Sequence, residues 1–280
     1  MVHYDLEYPK QPYSTVKRYD SRATYALKTI HTLISTSPIL NISFNTPDTP
    51  FPTILPMIGA LGSYTRPSAS LSDPQDLYLH GYVSSRIVNL SRASTTTSSS
   101  SAPDTPPGLP VCISATHLDG LVLSLTPNSH SYNYRSATLF GHAVPVSDPD
   151  EKLYAMRLVT DGVLPGRWDN TRTPPTAGEM ASTSVLRVKL VAGSAKVRAG
   201  GPSDDKGDMG DEEVRDRVWT GVVPVSRRYG EPVGSGYNRV EEVPGYIRDF
   251  VREGNEEGER EAVEAAGKTA APKKVFGEEE

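Results

Sequence analysis

The sequence predicts a mainly β protein, a closed or split antiparallel barrel with helices packed outside it. Short runs rich in Ile, Val, Leu, Tyr and Thr recur along the chain with turn residues between them, which is the spacing of a barrel or sandwich. Alternating strand and helix units, which would build a parallel doubly wound sheet, are absent. One cysteine in 280 residues rules out an intrachain disulfide framework, and 36% hydrophobic residues point to one ordinary core diluted by polar segments.

Taken in order, residues 1–19 read as an N-terminal arm. Asp20 or Ser21 can cap a helix over 22–36, where Ala23, Leu27, Ile30 and Ile34 fall on one apolar face and Pro38 ends the run. Strands follow at 39–44, 53–61 and 76–82, then a helix at 84–93. Residues 94–108 hold eight consecutive Ser or Thr residues and then three prolines; with almost nothing to bury, they read as a disordered insertion. Strands at 110–116, 119–125 and 134–146 come next. Asp148-Pro149 supplies the cap and first turn of a helix over 149–163. A short helix near 176–182, a strand at 184–191, a polar bridge at 201–217, a strand at 218–225 and a helix at 244–252 complete a single domain over 20–250. The tail, 251–280, is acidic and reads as a disordered or partly helical appendage.

Charge and motifs exclude several functions. Residues 253–280 hold nine acidic and four basic residues, which accounts for the whole net charge of −5 and leaves a neutral body. A general phosphate-backbone binder needs a basic face, so nucleic acid is disfavoured. The longest apolar stretches, such as 54–62, are about half of the roughly 20 residues a membrane span requires. The start, MVHYDLEYPKQP, shows no secretory pattern, and the chain reads as soluble and cytoplasmic. No phosphate loop, dinucleotide fingerprint, HExxH or GxSxG is present.

Four clusters could carry chemistry. In LYLHGYVSSR, His80 precedes a helix whose first turn holds Ser84, Ser85 and Arg86; the helix N–H groups, two hydroxyls and a guanidinium suit a phosphate, although from the residues alone a plain N-cap with a surface arginine is the stronger reading. In ATHLDGLVL, Thr116, His117, Leu118 and Asp119 precede Gly120, which either makes a hairpin turn with Asp119 or lets another group approach the backbone. His130, Tyr132, Asn133, Tyr134 and Arg135 crowd donors and rings before a strand. Lys196 and Arg198 alternate after Ser194, and Trp219 in VWTGVVPV is a ring that could cover a planar ligand or fill the core.

Together LYLHG with SSR, PVCISATHLDGLVL, HSYNYRS with ATLFGHA, VLPGRW, SAKVR and VWTGVVPV resemble the pyridoxamine 5′-phosphate oxidase-like split barrels, in particular the flavin-nucleotide-binding group related to nitroimidazole-resistance reductases. The likeness runs from about residue 18 to 225. It implies a six-stranded antiparallel FMN-binding split barrel of Greek-key type, a homodimer, and FMN, or FAD in some relatives, in a groove at the subunit interface. It implies that Ser84, Ser85 and Arg86 lie near the flavin phosphate, that Thr116, His117, Leu118 and Asp119 pass the ring edge, and that Asn133, Tyr134 and Arg135 face the cofactor cleft. Lys196 and Arg198 match basic positions reaching the phosphate or the partner subunit, Trp219 a late aromatic near the ring, and His80 a histidine close to the active site. The Arg and Lys run that clamps phosphate in true pyridoxamine phosphate oxidases has no counterpart here, so vitamin B6 oxidation is not implied.

The resulting expectation is a flavin-dependent oxidoreductase of small molecules, with a nicotinamide as electron donor. Arg135 or His117 would donate to the ring edge, and His80 would be the proton donor. The alternatives are a flavin carrier or sensor without turnover, and a haem-binding barrel using His80, His117, His130 or His142 as axial ligand. No metal site is expected, since the histidines lack short ligand spacing.

Overall fold

A computed structural model of the chain describes residues 5–47, 49–97 and 106–269. It divides into two compact units, one formed by Met1–Lys17, Ala23–Thr116 and Ser136–Ala195, the other by Arg18–Arg22, His117–Arg135 and Lys196–Glu280. The elements are β1 (Ala23–Thr24), α1 (Leu27–Ser35), β2 (Leu40–Phe44), β3 (Thr53–Met57), β4 (Gly59–Gly62), β5 (Asp76–Tyr82), α2 (Arg86–Thr97), β6 (Leu109–Leu123), β7 (Ser131–Pro145), α3 (Pro149–Val163), α4 (Ala177–Ser182), β8 (Thr183–Arg198), α5 (Lys206–Gly210), α6 (Glu212–Arg217), β9 (Gly221–Pro224) and α7 (Gly245–Gly267). The fold class is the predicted one, a mainly antiparallel sheet with peripheral helices. The sheet runs β3-β2-β6-β7-β8-β5-β4, with β1 on β8 and β9 on β6. Among the described residues it has nine strands where the resemblance implied six, because β1, β4 and β9, two to four residues long, add to six longer ones.

The core of the first unit is built as the periodicities require. In α1, Leu27, Ile30, Leu33 and Ile34 are buried on one face and join Leu40, Ile42, Leu77, Leu79, Ile113, Leu139 and Leu186 from the strands. Pro56 is tolerated in β3 because β3 ends the sheet order, where a missing N–H breaks no ladder. Helix α3 packs on β4 and β5. Asp148 caps it by accepting from the Asp150 N–H at 2.9 Å. Its buried Glu151 accepts from the Tyr78 hydroxyl and from Arg187 Nη1, each at 2.9 Å.

Local patterns misplace several boundaries. Helix α1 begins at Leu27 rather than 22: Asp20–Arg22 forms a 3-10 turn, Ala23–Thr24 is taken by strand pairing, and Ala26 enters the helix with no side-chain cap. The strand expected over 53–61 is two, since β3 pairs with β2 and β4 with β5. Helix α2 continues through Thr97, into the segment expected to be disordered, and residues 98–105 of that segment lie outside the described residues. The polar stretch 201–217 contains α5 and α6. The last helix runs to Gly267, well into the expected tail, and residues 270–280 lie outside the described residues.

Candidate functional site

In the first unit, Ser84, Ser85 and Arg86 are brought together where β5 turns into α2. The Ser85 N–H donates to the Tyr82 carbonyl at 2.9 Å, and the Asn89 side chain donates to the Ser84 carbonyl at 3.1 Å, which fixes the turn. Arg86 opens α2 and lines a cavity of about 310 Å³ with Thr46, Pro47, Thr49 and Leu90. Thr46 is only 8% exposed. Among the described residues its hydroxyl oxygen has no hydrogen-bond partner, and neither has the buried Ser85 Oγ. Leaving a buried hydroxyl unpaired costs about 1–3 kcal/mol. The Thr46 oxygen in the cavity lined by Arg86, with the free N–H groups of a helix start, forms a donor set suited to an oxyanion. His80 lies on β5 opposite Val185, with its side chain exposed, and Thr116 is exposed on β6.

In the second unit, β6 runs unbroken through His117, Leu118, Asp119 and Gly120, so the hairpin reading of Asp119-Gly120 is wrong. The close-approach reading holds, with β9 as the group that approaches. Gly120 pairs with Pro224, and a Cβ there would lie 2.8 Å from Val222 Cγ1. Asp119 is buried and accepts two parallel bonds from Arg135, Nε to Oδ2 and Nη2 to Oδ1, both 2.8 Å. Arg135 Nη2 also donates to Glu261 of α7 at 2.9 Å. These carboxylates hold the guanidinium pKa above its ordinary value, the Asp119 hydrogen bonds first and foremost. Asn133 is fully buried; its Oδ1 accepts a short bond from Arg198 Nη1, and its Nδ2 reaches the Ala265 carbonyl at 3.5 Å. Tyr134 is half-buried, while Leu118 and Trp219 are exposed, at 44% and 66%. Trp219 does not fill the core.

Sequence reasoning missed the contribution of α7, whose Glu261 and Ala265 complete the polar network around Arg135 and Asn133. Composition marks that helix as solvated, and only the buried Ala262 and Ala265 betray a packed face. It also missed Thr46, which no local motif announces. Cys112 is half-buried, and burial pushes its thiol up, away from the reactive thiolate. Among the described residues no group of three or more metal-ligating side chains gathers, and no helix is long and apolar enough to cross a membrane.

A family model described as pyridoxamine 5′-phosphate oxidase matches residues 27–197. Among solved structures, the flavocytochrome of Azotobacter vinelandii is 26% identical, with a TM-score of 0.67, over 86% of this chain and 97% of its own. The FAD- and haem-binding protein of Mycobacterium smegmatis is 25% identical, with a TM-score of 0.64, over 82% of this chain and 97% of its own. A 5-nitroimidazole resistance protein of Bacteroides thetaiotaomicron is 16% identical, with a TM-score of 0.44, over 62% of this chain and 86% of its own. No curated protein matches the chain.

Proposed function

Because the chain belongs to the pyridoxamine 5′-phosphate oxidase family, we propose that it is a flavin-binding split-barrel protein that seats the flavin phosphate at the Arg86 end of α2. The observation that carries this reading is the buried Thr46 Oγ1, which among the described residues has no hydrogen-bond partner and lies in the cavity that Arg86 lines. A phosphate would accept from the Thr46 hydroxyl, from the guanidinium and from the first N–H groups of α2.

A bound flavin supplies hydride and electron chemistry that the side chains lack. The chain's own residues bind it, orient it and move protons. Arg135 is committed to Asp119 and Glu261, so its proposed role is to hold β6 and β7 together. His80 is the proposed proton donor, since imidazole exchanges protons near neutral pH. The proposal extends to FMN or FAD as cofactor, a homodimer, a nicotinamide electron donor and a small-molecule substrate in the cytoplasm; the FAD of the Mycobacterium smegmatis protein supports the dinucleotide.

The test is a visible absorption spectrum of the purified protein, with mass spectrometry of the released chromophore. A yellow protein is expected, with Arg86→Ala and Thr46→Val each weakening flavin binding by about tenfold or more, the equivalent of about 1.4 kcal/mol. Protein that stays colourless and takes up neither FMN nor FAD overturns the reading.

A haem in addition to the flavin is supported by the likeness to the flavocytochrome and to the FAD- and haem-binding protein, each matched along nearly its whole length. Of the histidines considered for it, His130 is unsuited: its Nδ1 accepts from the Ser124 N–H at 2.9 Å, which puts the ring proton on Nε2 and removes the lone pair a metal needs. His80, His117 and His142 remain. A Soret band on haem titration, lost in one of the three His→Ala variants, is the expected result.

A further inference from the structure

Twenty residues, 225–244, separate β9 from α7, and none of them is in a helix or a strand. Loops beyond about 12–15 residues are uncommon in compact domains and are usually either functional or disordered. This one is fixed at both ends and at its tip. At the first end Asn255 of α7 clasps the Tyr229 backbone: the Tyr229 N–H donates to Asn255 Oδ1 at 2.7 Å, and the Tyr229 carbonyl accepts from Asn255 Nδ2 at 3.0 Å. The Tyr229 ring packs on Phe250 with 5.0 Å between centroids, so near the helix that a Cβ on Gly254 would lie 2.7 Å from it. At the other end Pro244 opens α7, its carbonyl accepting from the Ile247 and Arg248 N–H groups. Between them Asn238 closes a turn. Its N–H donates to the Ser235 carbonyl at 2.9 Å, and its side chain donates to the Val240 carbonyl at 2.8 Å and accepts from the Val240 N–H at 3.3 Å.

A loop held in this way still presents its apolar side chains to water. Val233 is 93% exposed and Tyr237 89%, and Val240 is exposed as well. Single exposed apolar residues are ordinary, but three large ones within eight residues of one ordered loop mark an interaction site. The loop lies beyond residues 27–197 that match the family, so membership of the family implies nothing about it.

Charge names what meets it. Residues 226–240 carry Arg227, Arg228 and Arg239 against Glu231, with Glu241 and Glu242 following on the return to α7. Helix α7 carries seven acids against three arginines. Arg252 and Arg260 are each shared among acids of their own helix, which leaves its exposed side negative. On that side Phe250, Glu253, Gly254, Glu256, Glu257 and Arg260 line a groove. A tyrosine ring can rest there against Phe250 while its hydroxyl donates to a glutamate. Within one chain the loop does not enter the groove, since Val233 and Tyr237 stay exposed.

We propose that the 230–243 loop of one chain docks in the α7 groove of a second copy, with the reciprocal contact formed about a twofold axis. A closed symmetric dimer requires both complementary surfaces on the same chain, and this chain has them: a basic loop tipped with Val233 and Tyr237, and an acidic groove floored by Phe250. Tyrosine is a common anchor of interfaces, and arginine–carboxylate complementarity fixes the register of the docked loop. The proposal rests on the homodimer of the proposed function, names a contact that builds it, and does not involve the flavin seat.

The experiment is sedimentation equilibrium of the full chain, which reads the dimer dissociation constant. Val233→Ser/Tyr237→Ser is expected to raise it about tenfold or more, the equivalent of about 1.4 kcal/mol, and added salt raises it for the wild type. Every substituted side chain is exposed, so the variants fold, as their thermal melts verify. Charge reversal tests the pairing itself. Arg228→Glu/Arg239→Glu and Glu253→Lys/Glu256→Lys each weaken self-association, whereas an equimolar mixture of the two recovers wild-type affinity as a heterodimer, because each loop then meets a groove of opposite charge. A wild-type chain that stays monomeric overturns this proposal and the homodimer reading together. A dimer unchanged in Val233→Ser/Tyr237→Ser, or charge-reversed variants that associate no better mixed than alone, overturns this proposal and leaves the homodimer standing, with the loop open to a different protein.

Discussion

Arg135 spends its forked guanidinium on Asp119 and Glu261, and that commitment decides what substitution there would do. Asp119 has 5% of its side chain exposed, so removing Arg135 leaves a carboxylate that water cannot reach to compensate. Breaking a buried pair by removing one partner costs about 3–5 kcal/mol. Arg135 itself keeps 24% of its side chain exposed, so Arg135→Ala is expected near the lower end, about 3 kcal/mol. Arg135→Lys retains the charge but not the two parallel bonds, and it should recover only part of the loss. Urea denaturation midpoints of the three proteins check this. Equal midpoints for Arg135→Ala and wild type would show that the pair does not hold β6 and β7 in register.

Among the elements, those whose signals are local were legible and those set by distant partners were not. Strand β5 and helix α3 begin and end where their residues predict, because the Leu and Tyr alternation of the first and the Asp148-Pro149 start of the second need no outside information. The start of α1 was misread since Asp20 and Ser21 offer good cap chemistry that strand pairing overrides. Asp119-Gly120 likewise has good turn chemistry, but Asp119 is held in a continuous strand by an arginine sixteen residues later. In the candidate site, Ser84-Ser85-Arg86 could be read as a motif, whereas Thr46 arrives from the end of β2 and is invisible without the fold. Close backbone approach between β7 and β8 is equally nonlocal. A Cβ on Gly141 would lie 2.5 Å from the Lys189 carbonyl oxygen and 2.7 Å from Val188 Cγ1. Backbone in a central strand pair cannot give way as a flexible side chain can, so Gly141→Ala is expected to cost about 1–3 kcal/mol, the usual range for overpacking. A thermal melt unchanged by that substitution would contradict the tight β7–β8 contact.

At the scale of the whole molecule, stability should depend on pH through groups that fold buried and neutral. His31 is fully buried; its Nδ1 faces the Leu71 carbonyl at 2.9 Å and its Nε2 the Tyr8 hydroxyl at 2.7 Å. A carbonyl can only accept, so the ring proton sits on Nδ1 and Nε2 accepts from the tyrosine, and the neutral ring satisfies both partners. Burial, its largest cause, holds the folded pKa of His31 below the ordinary value, and burial does the same to His142. A base whose folded pKa is depressed binds fewer protons folded than unfolded. The unfolded chain therefore gains protons first as pH falls below about 6.5, and stability declines from there until the folded pKa is passed. Asp76 works in the opposite sense, because burial raises its folded pKa, so its own penalty appears as pH rises from the carboxylate range near 4. Between about pH 7.5 and 5.5 the histidines should dominate, since that window spans their unfolded pKa. His31→Gln keeps a donor for Leu71 and an acceptor for Tyr8 but cannot titrate; unfolding free energies measured in urea at both pH values should show a shallower decline than in the wild type, and shallower still with His142→Gln added. An unchanged decline in the double variant would mean that the acid sensitivity of this protein resides elsewhere than in His31 and His142.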